Sequence, residues 1–239
     1  MLRHLGKKRS FKHNLGLATF LAFSAGFVNA AGFVAFGLLT TNVTGHTATL
    51  AIDLVSGDWH AAARVLLWLM LFLAGSFISG LLIGAVGPDK RNAYVGPIWG
   101  VILCLGLVCL FATPGASLHR QHAFAGILLF AMGMQNAVVT VISGSVVRTT
   151  HLTGIFTDLG VDLARIMVQG QSTVLWSRTL LRLSIITAFL LGGVSGAFEF
   201  RRLSFTAFLL PITILLLTLL YSRLRIGLRR TKKRISNLG

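Results

Sequence analysis

The chain has 239 residues, of which 54% are hydrophobic and only 12% are charged, and its mean hydropathy is +0.79. One soluble core could not bury so much apolar surface, so this composition excludes an ordinary globular fold and indicates an integral membrane domain. The formal net charge of +16 does not indicate nucleic-acid binding, because the basic residues concentrate at the two ends without interleaved aromatic residues.

Six apolar segments follow each other along the chain, each close to the roughly twenty residues that cross a bilayer. They are Leu15–Leu39, Ala62–Val86, Ala93–Thr113, His122–Ile142, Thr179–Phe198 and Leu203–Tyr221. We therefore predict an all-α integral membrane protein with one transmembrane domain over residues 15–222. A basic N-terminus (1–14) and a basic tail (223–239) flank it, which predicts cytoplasmic termini that bind anionic lipid headgroups.

The two halves of the domain repeat each other at polar positions, with repeat one over residues 15–113 and repeat two over residues 121–222. In the first block, Phe23, Gly26, Asn29 and Ala30 match Phe130, Gly133, Asn136 and Ala137. In the second block, Thr41, Thr44, Gly45, Leu50, Asp53 and Leu54 match Thr150, Thr153, Gly154, Leu159, Asp162 and Leu163. Duplicated halves with polar groups inside apolar segments are typical of membrane transporters, whose sites form where the halves meet.

The second block lies in two segments, Thr41–Gly57 and Thr150–Val168, that are too short or too polar to be confident spans. We predict that they are short re-entrant or broken helices. Each half then has three spans, an odd number, so the two repeats are inverted. If both segments cross instead, the protein has eight spans as two parallel repeats. The distribution of Lys and Arg between the loops favours six.

Three of the six acidic residues, Asp53, Asp158 and Asp162, lie in these duplicated segments. An ionised carboxylate at membrane depth costs several kcal/mol unless it is paired or hydrated. Helical spacing places Asp158, Asp162 and Arg165 on one face. We therefore predict that Asp53, Asp158, Asp162 and Arg165 couple transport to a proton or cation. The alternatives are a charged face in water and an internal pair of Asp162 with Arg165.

The repeated Thr-Gly steps, Thr44-Gly45 and Thr153-Gly154, can each start a helix. A helix start directs unpaired N–H groups and a partial positive charge forward, and two of them could converge near the midplane. Threonine hydroxyls both donate and accept hydrogen bonds, which suits a small polar solute or a dehydrated ion. The alternative is ordinary N-capping by threonine.

Asn29 and Asn136 occupy the same place in the first span of each half, where an amide either bonds a neighbouring segment or lines a cavity. His46 and His151 lie beside the Thr-Gly steps without the ligand spacing of a metal site, so we predict no metal and no cofactor. The predicted substrate-binding residues are Asn29, Thr44, Gly45, His46, Asn136, His151, Thr153 and Gly154. Small residues at Ser76, Gly80, Gly192 and Gly196 are predicted to form close helix contacts.

Several of these motifs resemble the YoaK-like family of bacterial multi-spanning membrane proteins. They are Ala25–Ala31, Thr44-Gly45, G-M-Q-N-A at Gly133–Ala137 and T-H-L-T-G-I-F-T-D-L-G at Thr150–Gly160. The resemblance implies an inner-membrane protein and supplies no substrate, since the family is itself uncharacterised. The chain departs from the family pattern at Asn29, where an acidic residue is common, and at His46, where asparagine is common.

These features together favour a transporter or permease for a small polar solute or ion, with its site between the repeats. A passive channel would use the same plan without titratable groups. A membrane-embedded enzyme would require a nucleophile or metal constellation, and the sequence has no nucleotide-binding loop, G-x-S-x-G or Cys-His arrangement, so no catalytic residue is predicted. A scaffold protein and a homo-oligomeric state are left open.

Overall fold

The computed structural model describes residues 11–88, 90–143, 150–170 and 172–220. Most residues of the two basic clusters lie outside this part of the chain, so lipid binding by the termini stays a prediction. Within it, the chain forms helices joined by short turns, which confirms the predicted all-helical class. Five helical stretches are long and apolar enough to cross a membrane: Ala18–Phe36, Trp59–Val86, Asn92–Phe111, Leu118–Val141 and Thr173–Leu220.

The order of the helices repeats once along the chain. The first half contains α1 (Phe11–Phe36), α2 (Val43–Ser56), α3 (Trp59–Val86), a 3₁₀ helix (Arg91–Tyr94) and α4 (Val95–Phe111). The second half contains α5 (Leu118–Ser143), α6 (Leu152–Gln169), α7 (Thr173–Leu203), a 3₁₀ helix (Ser204–Phe208) and α8 (residues 209–220). Helices α1 and α5 both have 26 residues. The polar sequence repeat is therefore also a repeat of structural elements.

Matched turns end the short helix of each half. Gly57 follows α2 with a φ of 76°, and the Asp58 carboxylate then accepts a hydrogen bond from the N–H of Ala61 as the N-cap of α3. Gly170 follows α6 with a φ of 80°, and the Ser172 hydroxyl accepts one from the N–H of Leu175 as the N-cap of α7. Glycine adopts this left-handed conformation without a β-carbon clash, so each chain reversal is tight.

The long apolar stretch Thr173–Leu220 is divided at Ser204. Its backbone has a φ of 52° and a ψ of −137°, and α7 ends there. The Phe200 ring lies 5.1 Å from the Phe205 ring and 6.2 Å from the Phe208 ring, because the chain turns at this point. Helix α7 extends over 31 residues, which is longer than the predicted span Thr179–Phe198 at both ends.

Glycines bring α1 into direct backbone contact with α7. A β-carbon at Gly26 would collide with the carbonyl oxygen of Phe189, and one at Gly192 would collide with that of Phe23. Two long apolar helices can approach this closely only where the side chain is absent. A further glycine on α7, Gly196, meets the Phe27 backbone in the same way.

Helices α3 and α5 repeat this contact. A β-carbon at Gly75 would collide with the carbonyl oxygen of Phe130, and one at Gly133 would collide with that of Phe72. All four helices thus carry an F-x-x-G sequence, of which the repeat analysis found only the copies on α1 and α5. The predicted packing role is confirmed for Gly192, Gly196 and Ser76, whose hydroxyl donates to the Gly133 carbonyl at 3.0 Å.

The fourth small residue predicted to pack, Gly80, does not. It is exposed, and a β-carbon there would meet no atom within 4 Å. The spacing from Ser76 is correct, but the surface of α3 that faces α5 turns away from this position. The prediction for Gly80 is therefore wrong.

Candidate functional site

Asn29 of α1 forms hydrogen bonds with Thr41, which lies just before the start of α2. Its side-chain oxygen Oδ1 accepts hydrogen bonds from the backbone N–H and the hydroxyl of Thr41, both at 3.0 Å. Gly37 has a φ of 69° and allows the chain to reverse after α1. Residues 37–42 consequently fold back along α1, and α2 begins beside this helix rather than beyond its end.

Asn136 makes the matching contact in the second half. Its Oδ1 atom accepts a hydrogen bond from the Thr150 hydroxyl at 2.9 Å, just before α6 begins. Both asparagines therefore bond a neighbouring segment of their own half, which was one of the two interpretations that the sequence left open. A contact between either asparagine and a substrate stays a prediction.

The start of α2 is capped by a residue that the sequence interpretation missed. Helix α2 begins at Val43, and the side chain of Asn42 accepts a hydrogen bond from the N–H of Gly45 at 3.1 Å. Thr44 lies inside the first turn and is exposed, so the alternative that this threonine is the N-cap is wrong. A β-carbon at Gly45 would collide with the Asn42 side chain. This glycine therefore leaves room for the cap.

The start of α6 has the same plan with a different cap residue. His151 occupies the N-cap position and makes no side-chain cap bond, while Thr153 is exposed within the first turn. A β-carbon at Gly154 would collide with the His151 ring. The repeated T-G sequence thus keeps space for the preceding residue at each helix start.

Each short helix packs within its own half, α2 along α3 and α6 along α7. Extensive packing of α2 against α6 is not part of the described structure. The two Thr-Gly steps therefore pack against different helices. This packing does not by itself bring the two helix starts together in the way that the sequence had led us to expect.

His46 links α2 to two longer helices. Its Nε2 atom lies 2.8 Å from the Leu39 carbonyl oxygen, so this nitrogen carries the hydrogen and donates it. Burial lowers the pKa of the His46 imidazole, and the bond to Leu39 opposes this with a smaller effect. The ring faces Trp68 of α3 at 6.2 Å, and the Trp68 indole N–H donates to the His122 carbonyl of α5 at 3.3 Å.

Asp162 is the buried charge of the second half, with 3% of its surface exposed. It forms an ion pair with Arg182 of α7, and Arg182 also donates to the exposed Asp158 carboxylate at 3.2 Å. The predicted alternative of an Asp162–Arg165 pair is wrong, because Arg165 is exposed on α6. Asp158, Asp162 and Arg165 lie on one continuous helix at the predicted spacing, and two of them, Asp158 and Asp162, contact Arg182 of α7.

The first half has no equivalent of this ion pair. Asp53 matches Asp162 but is half-buried, and no ion pair joins it to another described residue. If the helices are matched at Gly75 and Gly192, the position of Arg182 corresponds to Val65, which is buried and apolar. In the part of the chain that the structure describes, the charged cluster therefore belongs to the second half.

A family model for a protein of unknown function, DUF1275, matches residues 17–221. The chain belongs to this family. The match covers both halves and every residue of the asparagine contacts and of the ion pair. No curated protein and no solved structure matches the chain.

In this DUF1275 chain, three groups of polar side chains connect the short helices, or the residues just before them, to the long helices. The asparagine–threonine contacts occur in both halves, the His46–Trp68–His122 group belongs to α2, α3 and α5, and the Asp158–Arg182–Asp162 group belongs to α6 and α7. Arg182, Trp68 and Asn42 were missed by the sequence analysis. A basic residue in an apolar span was the available signal for Arg182, because such a residue requires a partner.

Proposed function

We propose that this DUF1275 protein is a transporter or permease for a small polar solute or ion in the bacterial inner membrane. In this proposal it has six spans and two re-entrant helices, with both termini in the cytoplasm. The observation that carries the proposal is the matched pair of contacts, Asn29 with Thr41 and Asn136 with Thr150. Each contact holds the start of a short helix beside the first long helix of its half.

The relative direction of α1 and α5 supports inverted repeats. The Gln135 side-chain amide donates to the Leu21 carbonyl at 3.0 Å, and a β-carbon at Gly32 would lie 3.4 Å from the Leu128 side chain. Residue numbers rise on α1 while they fall on α5, so the two helices run antiparallel where they cross. Since α1 and α5 are the first helices of the two halves, their antiparallel directions favour inverted repeats over parallel repeats.

The packing at the end of α1 supports a re-entrant α2. Leu38, two residues after α1, lies in one apolar cluster with Val65 and Trp68 from the beginning of α3. The end of α1 and the beginning of α3 are therefore at the same side of the molecule. A helix that joins them returns to the side from which it started, and the 14 residues of α2 do so without a crossing.

A re-entrant helix suits transport because its start presents unpaired N–H groups and a partial positive charge within the membrane. Non-helical backbone such as residues 37–42 is tolerated at that depth only where protein buries it or where it lines a cavity. Two such segments, one in each half, are a recognised way to build a solute path between inverted repeats.

We assign coupling to the Asp162–Arg182 pair. Protonation of Asp162 would remove the buried negative charge and leave Arg182 with its exposed partner Asp158, which would change the contact between α6 and α7. Asp53 and Arg165 have no comparable partner among the described residues. A passive channel is the second candidate, and it is favoured if the ion pair keeps Asp162 permanently charged.

Proteoliposomes test the proposed function directly. Purified protein is reconstituted, and fluxes of urea, glycerol, K⁺ and chloride are recorded with and without a pH gradient. We expect a protein-dependent flux of at least one of these probes that the pH gradient drives uphill. Downhill flux alone identifies the passive channel, and the absence of all four fluxes contradicts both candidates.

A further inference from the structure

Three buried polar atoms that have no hydrogen-bond partner among the described residues belong to residues at the crossing of α1 and α5, which we call the α1–α5 seam. They are Ser24 Oγ, Thr40 Oγ1 and Gln135 Oε1. Ser24 and Thr40 have no exposed surface, and Gln135 has 3%. Other hydroxyls on these helices donate to the carbonyl four residues earlier, as Thr19 and Thr140 do. The Ser24 hydroxyl lacks this local partner.

Neighbouring contacts place the three residues near the same seam. The Gln135 amide N–H bonds the Leu21 carbonyl, which in a helix points towards the level of Ser24, so Gln135 and Ser24 lie at one depth. The methyl group of Thr40 lies beside Gly32, whose other neighbour is the Leu128 side chain of α5. Leu21 and Gly32 are separated by about 16 Å along α1, so the unsatisfied atoms follow a substantial part of the helix.

If the seam held no water or solute, apolar residues would make the protein more stable than Ser24, Thr40 and Gln135 do. A buried hydroxyl or amide oxygen without a partner reduces stability, and an alanine, valine or leucine of similar shape removes that loss. The free atoms are two hydroxyl oxygens and one carbonyl-type oxygen. An N–H or O–H donor can satisfy each of them.

The surroundings select against an ion. Ala25, Leu128, Ala131 and Met132 are fully buried around the crossing and are apolar. The buried carboxylate in the described core, Asp162, is on α6 and is already paired with Arg182. A charged solute in the seam would lose its hydration without gaining a counter-charge, and the cost of removing an uncharged donor from water is far smaller.

We propose that the α1–α5 seam binds small uncharged solutes that donate hydrogen bonds, with Ser24 and Gln135 as contacts at one depth and Thr40 as a contact further along α1. This inference rests on the proposed transport function and names the substrate class of that function. It places these solutes where the two halves cross, between the starts of the two short helices.

Thiol accessibility tests this inference. Ser24→Cys is introduced after Cys104→Ala and Cys109→Ala have removed the native thiols, and the protein in native membranes is treated with methanethiosulfonates of similar size. We expect the uncharged 2-hydroxyethyl reagent to label Ser24→Cys about tenfold faster than Ala188→Cys, a buried apolar position on α7 that is slightly more exposed than Ser24. Excess glycerol should slow this labelling. The positively and negatively charged reagents should not react.

Labelling of Ser24→Cys by a charged reagent at a comparable rate would overturn the uncharged substrate class. No labelling by any reagent would show a closed, dry seam and would overturn the site itself. A Thr40→Cys variant is tested in parallel, so that poor folding of one variant does not decide the result. Liposome flux is measured separately, and flux of K⁺ or chloride with an inert seam would retain the transport function while rejecting this inference.

Discussion

The backbone carbonyl of Phe23 on α1 occupies the space that a β-carbon of Gly192 on α7 would need. Phe130 on α5 has the same relationship to Gly75 on α3. Each half thus supplies two long helices, one to each of two glycine-mediated contacts with the other half, and the two halves are interlocked rather than packed side by side. Any movement between them must occur at these contacts or around them.

A β-carbon at either glycine should destabilise the protein. We expect Gly192→Ala and Gly75→Ala each to lower the free energy of unfolding by about 1–3 kcal/mol, because the methyl group meets backbone that cannot move aside. Thermal unfolding of the purified protein in detergent measures the effect. Gly80→Ala is the control, since a β-carbon there is in open space and should cause no loss. Equal effects at Gly80 and Gly192 would contradict the close contact.

The inverted arrangement predicts the positions of the ends of α2 and α6. In a variant without Cys104 and Cys109, a cysteine at exposed Ser56 should react with an impermeant reagent from outside the cell. A cysteine at exposed Gln169 should react only from the cytoplasm. Reaction of both from the same side would remove the six-span inverted arrangement and favour eight spans as parallel repeats.

The ion pair of α6 and α7 should show strong coupling in a double-mutant cycle. Arg182→Met is expected to cost about 3–5 kcal/mol because it leaves the buried Asp162 unpaired, and Asp162→Asn is expected to cost less because Arg182 keeps its exposed partner Asp158. The double variant Asp162→Asn with Arg182→Met should recover much of this stability. Arg165→Met is the control, and it should be neutral because Arg165 is exposed. Additive effects of the two single variants would contradict a specific pair.

If the same pair also couples transport, its loss has a second consequence. Asp162→Asn should abolish uphill flux driven by a pH gradient in proteoliposomes, while downhill flux persists. Wild-type uphill transport by this variant would exclude Asp162 from the coupling mechanism, whatever its effect on stability.

His46 predicts a loss of stability in acid. Burial lowers the pKa of this imidazole from its ordinary value of 6.5, so below that pH the unfolded chain binds a proton that the folded protein resists. Stability supplied by the neutral ring is therefore lost as the pH falls through 6.5 and towards the lower folded value. Unfolding temperatures measured between pH 8 and pH 5 should decrease more for the wild type than for His46→Gln, which keeps a donor for Leu39. His60→Gln, at an exposed position, should follow the wild type.

The sequence by itself determined the class of the protein and its duplication. Long apolar segments in a weakly charged chain leave a bilayer as the suitable solvent, and the recurrence of Asn29, Thr41 and Asp53 as Asn136, Thr150 and Asp162 exposed the repeat. Those predictions depend on composition and on local spacing, which a single sequence contains. The helix bounds were less accurate, because apolar residues continue into the turns.

Tertiary structure alone decided which side chains meet. Helical periodicity places Asp162 and Arg165 near each other on α6, but it does not state which face of α6 packs against α7, so the partner Arg182 could not be chosen from spacing. Spacing also could not reveal the packing partner of Gly192. That partner is the backbone of Phe23, which lies 169 residues earlier on α1. Contacts between distant segments are set by the joint packing of all helices, and a local pattern contains no record of that packing.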